Sequence, residues 1–369
     1  MHGVIERRRQ YLQLMRQFTF EHGYFTVTDI QSAANVPRST AQDWINRLIG
    51  EGCVAKKESK SGRQPARFIA ISAMPSSTCR RMFTTVDGDY VEIFHDCMSG
   101  ACAAFCGHHH LLAGGMITSV QRDGTLLREY ARLGQAEVSI GLHPASAVGV
   151  VGVGRSGDSI IQQIRSIGGP AYSLTEMLSQ ASGVTRVEIR RDGDLVEGMI
   201  WTKALEHIVI GIDDTDSREG GATFALALAL LQRLGTLPGI FAIGHHVAML
   251  YPDIGEKTAG NSCSFIDVAV ESPEVPELQE KVYRFVADEA LSPEWGVAMK
   301  RGFLIPAGLR NYGRRVREER VLLSDAEKEA ADHCVSLHGG RGMIGALGAV
   351  ALSGLPNNVL LNPEAPVPL

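Results

Sequence analysis

HIVIGIDDTDSREGGATFALALALL, residues 207–231, decides how this chain of 369 residues is read. Ile208, Val209, Ile210 and Ile212 form a short β-branched run of the buried-strand type, and the apolar stretch after Gly221 is long enough for a helix. Three carboxylates, Asp213, Asp214 and Asp216, stand where that strand meets a glycine-bearing helix start. Strand ends in open α/β sheets offer anions the N–H groups and partial positive charge of the following helix. Aspartates clustered there would hold Mg2+, which bridges to phosphate oxygens. Thr223, just inside the helix, would face the same phosphates. The alternative is an acidic turn in which Asp214 and Ser217 cap the helix. Three acids in four residues repel one another in a dry site unless a cation or water screens them.

Two further segments follow: PDIGEKTAGNSCSF (252–265) and RGMIGALGAV (341–350). With IGIDDTDS they make residues 206–355 resemble the archaeal ATP-dependent enzymes that form agmatidine in the wobble position of an isoleucine tRNA. The segment is also similar to the methanogenesis marker 11 type proteins. The resemblance implies a kinase-like module that splits ATP, with Asp213, Asp214 and Asp216 as metal and phosphate ligands and Thr223 as the phosphotransfer threonine. Ser217 and Gly221 belong to the implied phosphate-binding turn, and Lys257, Thr258 and Asn261 of KTAGN to a second loop. Gly339, Gly340 and Gly342 place flexible backbone ahead of a small-residue helix, and Arg341 with Gly342 would close over phosphates. Close helix packing by glycine and alanine explains the same letters. The tRNA enzymes continue into an OB fold and a zinc ribbon that grip RNA, and neither is expected in this sequence.

Composition sets outer limits. With 44% hydrophobic and 21% charged residues the chain reads as an ordinary soluble protein of two or three domains. No apolar run approaches membrane-spanning length, and the charged N-terminus lacks the core of a signal peptide. A cytoplasmic protein without membrane contact is expected. Net charge is −5, unevenly spread: residues 1–73 carry 11 Lys and Arg against 6 Asp and Glu. A basic unit on an acidic body is the footprint of polyanion binding.

Within that unit Ile5, Leu12, Met15 and Phe18 predict a helix over 4–21. Thr26 with Asp29 predicts a capping box for a second helix ending near Asn35. Ser39 with Gln42 predicts another for a third, whose buried stripe is Ala41, Ile45, Leu48 and Ile49. VAKKESKSGRQPARFIAIS adds two β-like runs around a basic turn, Lys60 to Arg63. The order resembles winged helix-turn-helix domains. Arg38, Thr40, Gln42, Asp43 and Arg47 would enter a major groove, and Lys57, Lys60, Arg63 and Arg67 would meet phosphates. A winged helix used only for protein contacts is the alternative. Duplex DNA is favoured over tRNA as partner, and a homodimer would match two half-sites.

Between these ends, Cys97, Cys102 and Cys106 crowd into CMSGACAAFC, with His95 before them and His108, His109 and His110 after. RMFTTVDGDYVEIF predicts a hairpin turning at Asp87 to Asp89, which would set Cys79 opposite Cys97. Four thiolates converging there would bind Zn2+ or an iron–sulfur cluster. Small cysteines packed in an alanine-rich helix are the bland reading. Cys53, Cys263 and Cys334 read as core or helix residues. AVGVVGVGRSGDSIIQQI has GxGxxG register at Gly152, Gly154 and Gly157, but the next acidic residue ending a strand-like run, Glu188, is too distant for a dinucleotide fold. A glycine turn between strand and helix is favoured. A helix is expected near 173–182, strands near 184–190 and 195–201, and a packed core role for His245 and His246.

The fold expected is multidomain α/β: a winged helix-turn-helix over 1–73, a middle α/β region with the Cys/His cluster over 74–205, and an ATP-binding domain over 206–369. The function expected is a nucleotide- or redox-responsive DNA-binding regulator with Mg2+, ATP and a cysteine-ligated metal. The alternative is an ATP-dependent phosphotransferase or ligase acting on tRNA or a small molecule.

Overall fold

The computed structural model describes residues 2–59, 64–71, 77, 79–168, 175–255 and 260–368. It divides into two compact units, Met1–Thr78 and Cys79–Leu369. Among the described residues no helix is long and apolar enough to cross a membrane.

The first unit runs α1 (His2–His22), α2 (Val27–Ala34), α3 (Arg38–Gly50), β1 (Val54–Glu58) and β2 (Arg67–Ala70), the strands antiparallel. The Thr26 capping box forms: the Thr26 N–H donates to Asp29 Oδ2 at 2.7 Å, and Thr26 Oγ1 accepts the Asp29 N–H. Asn35, in the left-handed region at φ 49°, ends the helix. The Ser39 box does not form. Helix α3 begins at Arg38 behind Pro37, which leaves Ser39 inside the helix, and Gln42 donates to Asn46 instead. Leu12, Met15, Phe25, Ile30, Ala41, Ile45, Leu48 and Phe68 make the core. Ile5 and Ile49, expected in it, are exposed. The first turns of α1 precede the core, which starts at Tyr11, and Ile49 follows Leu48 off the buried face. The basic turn with Lys60 and Arg63 lies outside the described residues.

In the second unit one strand organises everything. The sequence suggested a strand near 195–201 and a separate β-branched run from Ile208 to Ile212; the structure has a single strand, β11 (Leu195–Asp213), without a break. The elements before it are β3 (Cys79–Asp87), β4 (Tyr90–Cys97), α4 (Gly100–Ala113), β5 (Ile117–Asp123), β6 (Leu126–Arg132), β7 (Gly134–Gln135), β8 (Val148–Ser156), β9 (Ser159–Ile167) and β10 (Val184–Asp192). The first half of β11 pairs with β9 and β10. Ala204 and Leu205 pair in parallel with β3. The second half pairs with β13 (Ser262–Val270) and β14 (Gly296–Arg301). The GxGxxG segment is the hairpin β8–β9, turning at Gly157 with φ 61°. Alternating burial along SIIQQIRSI explains why a strand, and not a helix, follows the glycine. The expected helix near 173–182 is described only from residue 175, where a 3-10 turn spans Leu178–Gln180.

β12 (Phe241–Met249) and β15 (Ser336–Gly339) complete the C-terminal sheet, ordered β12-β13-β11-β14-β15 with every neighbour antiparallel. Along β11, Ile208, Ile210 and Ile212 face α5 (Thr223–Gly235) and α6 (Val275–Glu289). Val209 faces α7 (Ala307–Glu318), α8 (Leu323–Asp332) and α9 (Met343–Leu352). The period of two therefore splits one strand between two cores. Helix α9 is buried from Gly345 to Leu352. Its approach needs Gly211, where any Cβ would overlap the Ala346 carbonyl.

Candidate nucleotide site, thiol cluster and winged helix

β11 ends at Asp213 on the α9 side of the sheet. A Cβ on Gly345 would overlap its carboxylate, so the glycine of RGMIG makes the space that Asp213 occupies. Asp214 has φ 56°, a left-handed conformation uncommon outside glycine. Its carboxylate lies 3.5 Å from Arg341 Nη2. Asp213, Asp214, Asp216, Asn261, Arg341 and Gly342 all line one cleft of about 380 Å3. Asn261 Nδ2 donates to the Tyr251 carbonyl at 2.8 Å, and the Leu250 N–H donates to the Asn261 carbonyl at 2.9 Å, so this loop is tied to the end of β12.

Burial and mutual repulsion disfavour charge on the aspartates of the cleft. Loss of solvent raises Asp213 well above the carboxylate range, opposed by the Asp214 backbone N–H and by Arg341 and reinforced by the charges of Asp214 and Asp216. Asp214 is raised for the same first reason, with Arg341 opposing. A divalent ion would reverse both shifts.

Three expected residues sit elsewhere. Thr223 Oγ1 is buried behind the cleft, donating to Asp216 Oδ1 at 3.0 Å and accepting from the Thr215 N–H at 3.3 Å. It orients Asp216 and is not among the cleft-lining residues. Ser217 and Gly221 belong to the tight turn of 217–220 and the entry to α5; Ser217 Oγ accepts the Glu219 N–H. Neither Asp214 nor Ser217 caps α5, which starts at Thr223 behind Ala222. Lys257 and Thr258 lie outside the described residues. One residue was missed: Glu294 Oε2 accepts the Arg341 N–H at 3.1 Å, and its carbonyl accepts the Gly342 N–H at 2.7 Å. Glu294 thereby holds the glycine loop over the cleft, and nothing in its local sequence marks it.

Cys79 pairs with Cys97 as predicted, but the ladder from Asp87–Tyr90 to Arg81–Asp96 is one residue out of the predicted register, and a bulge between Cys79 and Arg81 restores the pair. Ser99 caps α4 through the Cys102 N–H. Cys97 is in hydrogen-bond contact with both Cys79 and Cys106, and Cys79 Sγ lies 3.7 Å from His95 Nδ1. Behind them His110 Nδ1 is 2.6 Å and His95 Nε2 3.5 Å from the fully buried carboxylate of Glu129. Burial opposes that charge, but His110 and His95 prevail and hold Glu129 down to about 2. The thiols thus gather, yet among the described residues no three His, Cys, Asp or Glu side chains are arranged to hold a metal ion. Cys53 is half-buried, Cys263 is buried and Cys334, expected in a core or helix, is exposed just past α8.

On α3, Arg38, Asp43 and Arg47 are exposed and Thr40 and Gln42 half-buried. Arg38 donates to Thr28 Oγ1 at 3.2 Å; Arg47 pairs with Glu51 at 3.2 Å and packs over Trp44. Lys57 donates to the Gly23 carbonyl, while Arg67 pairs with Glu58 and stacks on Tyr24. His246 lies in β12, 3.9 Å from Asp267, and the half-exposed ring of His245 precedes it.

Comparison with known proteins follows the same division. Residues 209–301 match the family model of the TiaS TCKD domain, and residues 9–74 match that of the sugar-specific transcriptional regulator TrmB. Both resemblances read from the sequence, to the agmatidine-forming tRNA enzymes and to a helix-turn-helix regulator, are therefore present in one chain. An uncharacterized protein of Methanocaldococcus jannaschii, MJ0921, is 24% identical over 73% of this chain and 90% of its own length. The tRNA 2-agmatinylcytidine synthetase TiaS of Pyrobaculum neutrophilum is 34% identical over 39% of this chain. The match spans only 34% of that enzyme's length. Among solved structures, the complex of TiaS with its tRNA and ATP aligns with 39% of this chain and 36% of its own at 27% identity and a TM-score of 0.37.

Proposed function

We propose that this protein is a nucleotide-responsive DNA-binding regulator. MgATP binds at Asp213, Asp214 and Asp216, with Asn261, Arg341 and Gly342 around the phosphates, and changes the affinity of the winged helix for duplex DNA. The observation that carries the reading is the convergence of three sequence-distant motifs on one cleft, in a chain that also bears a regulator-type helix-turn-helix. DNA binding should weaken steeply with salt, because neutralised phosphates release counterions. A gel-shift titration with and without MgATP tests the proposal. We expect affinity to change about tenfold with MgATP, a coupling of roughly 1.4 kcal/mol, and Asp214→Ala to abolish the change. Equal affinity in both conditions overturns it.

A second reading has the cleft turn ATP over, as a phosphotransferase or ligase acting on tRNA or a small molecule. The match to tRNA-modifying enzymes favours it. Release of phosphate or pyrophosphate, lost in Asp213→Ala, separates it from the first. The thiol cluster is proposed as a soft-metal site in which Cys79, Cys97, Cys102 and Cys106 turn toward a single Zn2+ or an iron–sulfur cluster. Equimolar metal or visible absorbance in anaerobically purified protein supports this, and absence of both dismisses it. A cytoplasmic location and pairing of two copies on two half-sites complete the proposal.

A further inference from the structure

Lys300 ends an otherwise apolar stretch of β14 and is only 7% exposed. Its ammonium donates to the carbonyls of Arg301 at 2.8 Å and Gly302 at 3.1 Å. An ammonium has three hydrogens, so one remains for another acceptor. The carboxylate that supports its charge, Asp87, already accepts the Leu304 N–H at 2.8 Å. Among the described residues Lys300 makes no ion pair, and a buried charge without one costs several kcal/mol. Burial pulls its pKa below the ordinary lysine value, with Asp87 opposing.

The space beside it is not filled. A cavity of about 390 Å3 is lined by the basic residues Lys300, Arg301 and His333, by the acidic Asp87, and by Ile208, Leu304 and Pro306. Cys334, also in the lining, holds φ 54° as the left-handed residue that ends α8, where the Val335 N–H donates to the Ala330 carbonyl at 2.9 Å. Ile208 lies five residues before Asp213 on one extended strand, so this cavity opens about 17 Å from the aspartate cleft.

We infer that this cavity is a second binding site, for a small organic anion: one carboxylate or phosphate group on the Lys300 ammonium, with a short apolar body against Leu304 and Pro306. The site is separate from ATP binding at the aspartates. Calorimetric titration of the full chain with butyrate and, separately, n-propyl phosphate tests it and tells the two headgroups apart. At least one should saturate at one site per chain with a Kd below about 1 mM, and Lys300→Met should weaken it about tenfold or more. Asp214→Ala should bind it as the wild type does. Lys300→Met should melt no lower than the wild type without ligand, since it removes a buried charge and keeps the volume; a folded variant with normal affinity overturns the site. So does failure of both probes to saturate, or loss of their binding in Asp214→Ala, which would place the anion in the aspartate cleft.

Discussion

Removing the Glu92 carboxylate should cost the second unit about 3–5 kcal/mol, the range for breaking a buried ion pair from one side. Glu92 is buried where β4 meets the C-terminal sheet, and it accepts from Thr85 Oγ1 at 2.6 Å, Arg128 Nε at 2.7 Å and His207 Nδ1 at 2.7 Å. His207 Nε2 reaches Asp267 Oδ1 at 2.9 Å. Burial disfavours the imidazolium, yet Glu92 and Asp267 raise His207 above 6.5. In Glu92→Gln, Arg128 is left buried with its charge, because a guanidinium cannot shed a proton. His207 keeps only Asp267. The melting temperature should fall on the order of 10 °C. Urea unfolding followed by the fluorescence of Trp201 and Trp295 measures the loss directly. The stability contributed by His207 is present below pH 6.5 and fades as pH rises through the raised value, so this alkaline slope should shrink in Glu92→Gln. Replacement of the whole network by apolar residues, Glu92→Leu with Arg128→Met, His207→Phe and Asp267→Leu, should recover most of the stability. A loss under about 1 kcal/mol in the single variant refutes the reasoning, since that is the range of exposed pairs.

Gly345→Ala should push Asp213 aside and weaken MgATP binding about tenfold, at an overpacking cost of about 1–3 kcal/mol; unchanged binding by calorimetry would show that Asp213 does not need that position. Thr26→Ala should destabilise the winged helix by about 1 kcal/mol through loss of its cap, read as an earlier transition of residues 1–78 in hydrogen exchange. The His110–Glu129 pair sets a pH window: Glu129, held at about 2, contributes above pH 4.5 and its contribution fades as pH falls toward 2. His110, raised because Glu129 outweighs its burial, contributes below pH 6.5 and fades above. Glu129→Gln should flatten both flanks of a stability–pH profile, and identical profiles would contradict the pairing.

What the sequence disclosed was local. Thr26 with Asp29 set a helix start, Gly88 between two acids set a hairpin, and the β-branched run to Ile212 set the strand that carries the first of the aspartates. Each signal lies within a few residues of the structure it specifies. Long-range features stayed hidden. Nothing near residue 200 says that β11 runs on to Asp213, because continuity depends on partners as distant as β3 and β14. Glu92, His207 and Asp267 meet only after three strands have paired, and Glu294 reaches the glycine loop from 47 residues away. At Gly157 the letters suited a strand-to-helix turn, and alternating burial in the following strand decided otherwise. Ser39 offered a cap, but the helix begins before it, at Arg38, without a side-chain cap.

If the aspartate cleft binds MgATP and that binding reaches the winged helix, both events are visible in one experiment. Equilibrium titration of fluorescent duplex DNA with the full chain, at fixed salt, with and without MgATP, measures them together. We expect a shift of about tenfold in Kd that Asp214→Ala removes. A DNA affinity unchanged by MgATP in a chain that calorimetry shows to bind the nucleotide would contradict it.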